Sequence, residues 1–113
     1  MAIFDFFGRS DINRLLESYD AMPDAQLLDV RTPQEYCEGH IPCSRNIPLQ
    51  RIDDIRNVIP RKDVPLFVYC RSGSRSSQAA HILREMGYTH VENIGGISAY
   101  LGRIERGNKL CQC

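Results

Sequence analysis

Charge of one sign, long apolar runs and an even number of cysteines are all missing from this chain. Fourteen lysines and arginines balance fourteen aspartates and glutamates, so the formal net charge at pH 7 is zero. Without a net field, neither nucleic acid nor a membrane surface is held by general electrostatics, although a local field can still bind a small anion. No apolar stretch reaches the length that crosses a bilayer. The opening MAIFDFFGRSDINRLL lacks the basic start, apolar middle and small-residue cleavage site of a secretory signal. A cytoplasmic location with reduced thiols is therefore expected. Five cysteines cannot all pair within one chain, which argues against a complete internal disulfide framework.

What is present is ordinary in bulk and specific in detail. At 113 residues, 42% apolar and 25% charged, the chain suits one domain that buries about two thirds of its unfolded surface. Ser10 is placed to cap a helix carrying Ile12, Leu15, Leu16 and Tyr19 on one face. AQLLDV (25–30) reads as a buried strand. Thr32, Pro33 and Glu35 then supply an N-cap, a first-turn proline and a capping-box carboxylate for a short helix ending near Gly39. A brief strand around Asn46 and Ile47 precedes a helix marked by Leu49, Ile52, Ile55 and Val58 and stopped by Pro60. Leu66 to Tyr69 is apolar without alternation, as in a central strand covered on both faces.

Residues 76–86 repeat apolar positions at helical spacing up to Gly87, and HVENI (90–94) forms the next strand. Gly95 and Gly96 are expected to turn the chain into a last helix patterned by Ile97, Tyr100, Leu101 and Ile104. Alternating strands and helices predict a three-layer α/β domain over 1–107, with a largely parallel central sheet flanked by helices. The tail 108–113, NKLCQC, is short and polar apart from Leu110. The apolar Ile3, Phe4, Phe6 and Phe7 are expected to dock on the domain that follows them, with a dimer contact as the alternative.

In VYCRSGSRSS (68–77), a buried strand runs directly into Cys70, two arginines, a glycine and four serines. Open parallel sheets bind ligands beyond the carboxyl ends of their strands, where Cys70 falls. A tight loop leading into a helix points backbone N–H groups inward, and the helix N-terminus adds partial positive charge. Gly73 permits positive φ if the curl demands it. Arg71 and Arg75 add cationic forks, and Ser72, Ser74, Ser76 and Ser77 add hydroxyls. A cysteine so placed has a lowered pKa and enhanced nucleophilicity, and the same cradle can hold a terminal persulfide anion. A buried, inert cysteine with solvated arginines remains the competing reading.

These motifs resemble the rhodanese-like sulfurtransferases in their single-domain form. LLDVR (27–31) is similar to the family's first signature, with Pro33, Glu35 and Tyr36 in the helix after it. GHIP (39–42), NIP (46–48), YCRSGSRS (69–76), LREMGY (83–88) and NIGGI (93–97) follow in the family's order. The resemblance implies a ping-pong reaction: Cys70 takes a sulfane sulfur from a donor such as thiosulfate or a low-molecular-weight persulfide and passes it to cyanide, a thiol or a sulfur-relay protein. It implies no metal or organic cofactor. The backbone of 71–75 (Arg71, Ser72, Gly73, Ser74, Arg75) would stabilise the persulfide, with Asp29 and Arg31 in support.

The related Cys-based phosphatases and arsenate reductases place five residues between cysteine and arginine. Here four separate Cys70 from Arg75, and Ser76 stands at the phosphatase arginine's position. The second reading is a persulfide carrier or redox-sensing module that docks to another protein and does not turn over, and the phosphatase or arsenate reductase is the third. The chain departs from the family at Cys43, where glycine is usual, and at Tyr100, where tryptophan is common.

Among the remaining groups, Arg71 and Arg75 are both candidates to bind the anionic end of the donor. Arg75 is rather expected to tie the loop to Asp29 or Glu35. For Arg71, substrate contact and a solvated side chain are equal alternatives. His40 reads as a hydrogen-bonded turn residue, and His81 and His90 as exposed. Cys37, Cys43, Cys111 and Cys113 admit three readings: resolving or sulfur-accepting thiols, zinc ligands at unusual spacing, or inert packing.

Overall fold

The computed structural model describes residues 11–107. The expectations for Ser10, for the apolar start and for the cysteine tail fall outside that range. The described elements run α1 (Ile12–Asp20), β1 (Gln26–Asp29), α2 (Pro33–Glu38), β2 (Ser44–Asn46), a 3-10 helix (Leu49–Asp54), α3 (Ile55–Val58), β3 (Leu66–Cys70), α4 (Ser74–Glu85), β4 (Val91–Gly96) and a 3-10 turn (Ile97–Ala99). The four strands form one parallel sheet in the order β2-β1-β3-β4.

Every residue of β3 is buried, because it lies inside the sheet with a layer on each face. Alternate side chains divide between those layers. Leu28, Val30, Leu66, Val68 and Cys70 join Ile52, Ile55, Ala79, Ala80 and Leu83 in one core. Leu27, Phe67, Tyr69 and Ile94 join Ile12 and Leu16 of α1 in the other. Each large apolar side chain buried this way contributes about 1.5–3 kcal/mol of transfer free energy. Cys70 thus ends the central strand with its side chain on the α4 face.

Local capping explains where several helices begin. Asp11, one residue beyond the expected Ser10, caps α1 by accepting from the Asn13 and Arg14 backbone N–H groups. At α2 the Thr32–Glu35 capping box is complete, and Pro33 occupies the first turn.

Two expected helices take other forms. The 49–58 segment is a 3-10 helix followed by a single α turn, and Val58 is 40% exposed rather than on the buried face. The helix expected after Gly96 is one 3-10 turn, and Leu101 is 87% exposed. There the Asn13 side chain donates to the Ala99 carbonyl at 3.0 Å and accepts from Leu101 N–H at 2.8 Å. Those bonds hold the segment extended, and its continuation pairs Glu105 with His40 in an antiparallel bridge. Gly95 and Gly96 belong to β4 and are not the turn expected there.

Among the described residues no helix is long and apolar enough to cross a membrane.

Candidate active site

Cys70 is 1% exposed and sits where β3 gives way to α4. Gly73, between them, has φ +110°, a conformation in which a side chain is strained. This turn brings the Gly73 N–H to 3.0 Å from Cys70 Sγ and starts α4 at Ser74. The Ser76 hydroxyl lies 3.4 Å from the same sulfur.

Two opposed influences act on the thiol. Burial, the largest, pushes its pKa up. The Ser76 hydroxyl, when its proton points at sulfur, pulls it down most, followed by the backbone N–H groups of Ser76, Gly73 and Ser72. The net result is a pKa below the usual thiol value.

The arginines of the loop have different surroundings. Arg75 forms a two-pronged pair with Glu35, at 2.8 and 3.0 Å, linking the start of α4 to α2. That hydrogen bond is the chief reason the Glu35 carboxyl is held at about 2; burial opposes it and Thr32 assists. Arg71 is exposed, and its side chain makes no ion pair or hydrogen bond among the described residues. Its carbonyl accepts from Ser98 N–H at 3.2 Å, which fixes the loop backbone against the end of β4. Ser72 and Ser74 are exposed, and neither hydroxyl makes a hydrogen bond among the described residues.

Asp29 and Arg31 are occupied with each other. The Arg31 guanidinium meets both Asp29 oxygens, at 2.7 Å for the shortest contact, and also donates to the Gly39 carbonyl at 2.6 Å. Asn46 closes the unit by donating to the carbonyls of both residues. Asp29 is 0% and Arg31 6% exposed, so this is a buried brace beneath the site's edge. Burial alone would lower the Arg31 pKa, but Asp29 more than compensates and raises it.

His40 is buried, donates from Nδ1 to the Tyr36 carbonyl at 2.8 Å and stacks on the Tyr36 ring at 3.7 Å. Cys37 is a free, half-buried thiol. Cys43 is disulfide-bonded and has φ +73°, in a position where glycine would be unstrained. The bond removes Cys43 from any set of zinc thiolates and departs from the expectation of reduced thiols. Register places Cys43 one residue before Ser44, itself level with Leu27 and Phe67, whereas Cys70 lies three residues beyond Phe67. At the spacing of a parallel sheet the two cysteines are roughly 15 Å apart. Cys43 is at the opposite end of the strands from the cysteine loop.

Of the four serines expected to add hydroxyls, Ser76 is the one whose hydroxyl reaches Cys70, although it lies one position past the loop assigned to persulfide binding. Two further residues of this site are not in the sequence-derived set. Gly96 pairs with Cys70 across the sheet, and a β-carbon there would collide with the Arg71 carbonyl. The adjacent glycines at a strand end were the clue. Asn93 comes into reach through an irregularity: Val68 is level with Asn93 but Tyr69 with Gly95, so Ile94 is an extra residue. Nothing local in the sequence announces that shift.

A family model described as Rhodanese-like domain matches residues 11–103 of this chain. The chain belongs to the rhodanese-like family. Its similarity to the thiosulfate sulfurtransferase PspE of Escherichia coli is 46% identity over 71 residues, covering 62% of this chain and 68% of that protein. A protein of Allochromatium vinosum named sulfurtransferase is 44% identical over 78 residues, covering 68% and 72% of the respective chains. A solved structure described as a rhodanese with anions from E. coli superposes with a TM-score of 0.69 at 40% identity. That match covers 74% of this chain and 99% of the solved one. The rhodanese domain therefore has sulfurtransferases as relatives in both sequence and fold.

Proposed function

We propose that this rhodanese domain transfers a sulfane sulfur through a persulfide on Cys70, with a small anionic donor such as thiosulfate, or a low-molecular-weight persulfide, as its source. The observation that carries the reading is the buried Cys70 sulfur, 3.0 Å from the Gly73 N–H at the start of α4. An anion is favoured there whether its charge rests on Sγ or on a sulfur attached to it.

The chemistry is redox-neutral overall. The Cys70 thiolate attacks the outer sulfur of thiosulfate. A new S–S bond forms, the old one breaks, and sulfite departs with its electron pair. Cyanide or a thiolate then attacks the terminal persulfide sulfur, and the Cys70 thiolate leaves. Both leaving groups are stable anions, so no general acid is required. Arg71, exposed beside the nucleophile, supplies a cation for the anionic end of the donor. Arg75 holds the loop through Glu35, and Asp29 with Arg31 braces the strand end below it.

The test is to incubate the reduced protein with thiosulfate and read intact and peptide masses, with Cys70→Ser alongside. One added sulfur on Cys70, discharged by cyanide as thiocyanate over many cycles, is expected. Loading without repeated discharge would make the domain a carrier. Failure to load from either thiosulfate or polysulfide would overturn the proposal.

A further inference from the structure

Around the Ser76 hydroxyl are more acceptors than it has protons. Ser76 is 0% exposed. Its Oγ lies 2.7 Å from Asn93 Oδ1, 3.1 Å from the Gly73 carbonyl, 3.4 Å from Cys70 Sγ and 3.5 Å from the Gly95 carbonyl. A serine hydroxyl donates once.

The orientation of Asn93 follows from its other partners. The Gly95 N–H, 3.0 Å away, requires an oxygen opposite it. The Gly73 carbonyl, 3.3 Å from the other amide atom, requires an N–H. Oδ1 therefore faces Ser76. Two oxygens at 2.7 Å need a hydrogen between them, and only Ser76 has one to give.

We infer that Asn93 is a positioning residue for the nucleophile: it holds the Ser76 proton away from Cys70 Sγ and thereby limits how much of Cys70 is thiolate. With Cys70 as a thiol, S–H donates to the lone pair that Ser76 leaves facing it. When the proton departs, Ser76 keeps its own proton on Asn93 Oδ1 and presents that lone pair to the anion. This disfavours the thiolate relative to a site in which Ser76 is free to donate. The backbone N–H groups then carry the stabilisation of the anion. Such a restraint suits a thiol that must first attack and then leave, because nucleophilicity falls as thiol pKa falls while leaving ability improves.

The charged groups around Cys70 are already committed. Arg75 of α4 acts on the thiolate but is paired with Glu35 of α2. Asp29, at the end of β1, is paired with Arg31. Arg51 and Asp54, on the 3-10 helix packed against α4, pair with each other at the surface. Tyr69 is kept neutral by burial, its pKa raised. Arg71 is exposed in the loop, and from β4 Asn93 and Gly95 bring no charge. All the charged groups are retained in the variants below.

The inference rests on the sulfur-transfer reading only for its consequence, since its test reads the thiol itself. The rate of Cys70 alkylation by iodoacetamide, followed by peptide mass, is measured against pH in the full chain. Wild type, Ser76→Ala, Asn93→Ala and the double variant form the set. Asn93→Ala is expected to lower the midpoint, so that alkylation below it accelerates about threefold or more. Removing the hydroxyl from that background raises the midpoint again, whereas Ser76→Ala in the wild-type background does not raise it. A rise of equal size in both backgrounds would overturn the inference, because Ser76 would already be donating to sulfur. If Asn93→Ala does not fold, Ser76→Ala decides alone: a raised midpoint sinks the inference, and an unchanged or lowered one upholds it. A protein that titrates as expected yet never takes up sulfur would instead refute the sulfur-transfer reading.

Discussion

A β-carbon built on Gly96 would fall onto the Arg71 carbonyl and come within 2.6 Å of Ser72 Cα. Backbone atoms cannot swing aside as a side-chain tip does, so Gly96→Ala must move the cysteine loop or the end of β4. The expected result is a loss of about 1–3 kcal/mol in stability, as in an overpacked core, seen as a lower urea midpoint. Thiocyanate formation should fall more than tenfold, since the displaced loop carries the N–H groups that face Sγ. Arg71 is a contrasting case. Exposed and unpaired among the described side chains, it contributes little to the fold. Arg71→Ala should raise KM for thiosulfate several-fold while leaving the urea midpoint and the rate of Cys70 alkylation by uncharged iodoacetamide unchanged. Equal losses with thiosulfate and with iodoacetamide would show that Arg71 acts on the loop rather than on the donor's charge.

Glu35 joins two elements. Its carboxylate closes the capping box of α2 through Thr32 and receives the two-pronged donation of Arg75 from α4. Because its pKa is drawn from 4.5 to about 2 on folding, its charge favours the folded state fully above the ordinary carboxylate range. That contribution fades as pH falls from about 4.5 towards 2. Glu35→Gln keeps a capping side chain but loses the charge. The variant should be less stable than wild type at pH 7 by about 1 kcal/mol, reflecting the partial exposure of the pair. The difference should shrink to nothing in urea titrations taken down to pH 2. A gap that persists at pH 2 would mean that the pair is not its source.

The elements also show why some of the fold is legible in the sequence and some is not. α2 can be read because Thr32, Pro33 and Glu35 act on their immediate neighbours. β3 can be read because a strand covered on both faces needs only apolar residues. The segment after Gly96 cannot, because its shape depends on the side chain of Asn13 some 86 residues earlier. Val58 sits at helical spacing from Ile55, but the 3-10 turns before it rotate the face away from the core. In the site, Cys70 and its N–H cradle follow from strand, glycine and helix in succession. The proximity of Ser76, Asn93 and Gly96 depends on register between β3 and β4, which no local pattern encodes.

At the scale of the molecule, the sheet separates two sulfur-bearing ends. Cys70 is the carboxyl-terminal residue of β3, and Cys43 lies before the start of β2. The roughly 15 Å between them is too far for direct exchange of a bond about 2 Å long. Reducing the Cys43 disulfide should therefore leave the first loading of Cys70 by thiosulfate unchanged in rate and extent. A burst that vanishes on mild reduction would show that the two ends communicate.

The parallel order of the strands also governs how the nucleophile arrives at its place. β1 pairs with β3 across about forty residues of chain, and β3 with β4 across some twenty-five. Such distant pairings form slowly compared with the turns of a helix. Until β4 docks, Cys70 has neither Gly96 beside it nor Asn93 in reach of its loop. During refolding, Cys70 should consequently pass through an interval of indiscriminate reactivity that the native sheet ends, so that an alkylating pulse labels it less selectively early than late.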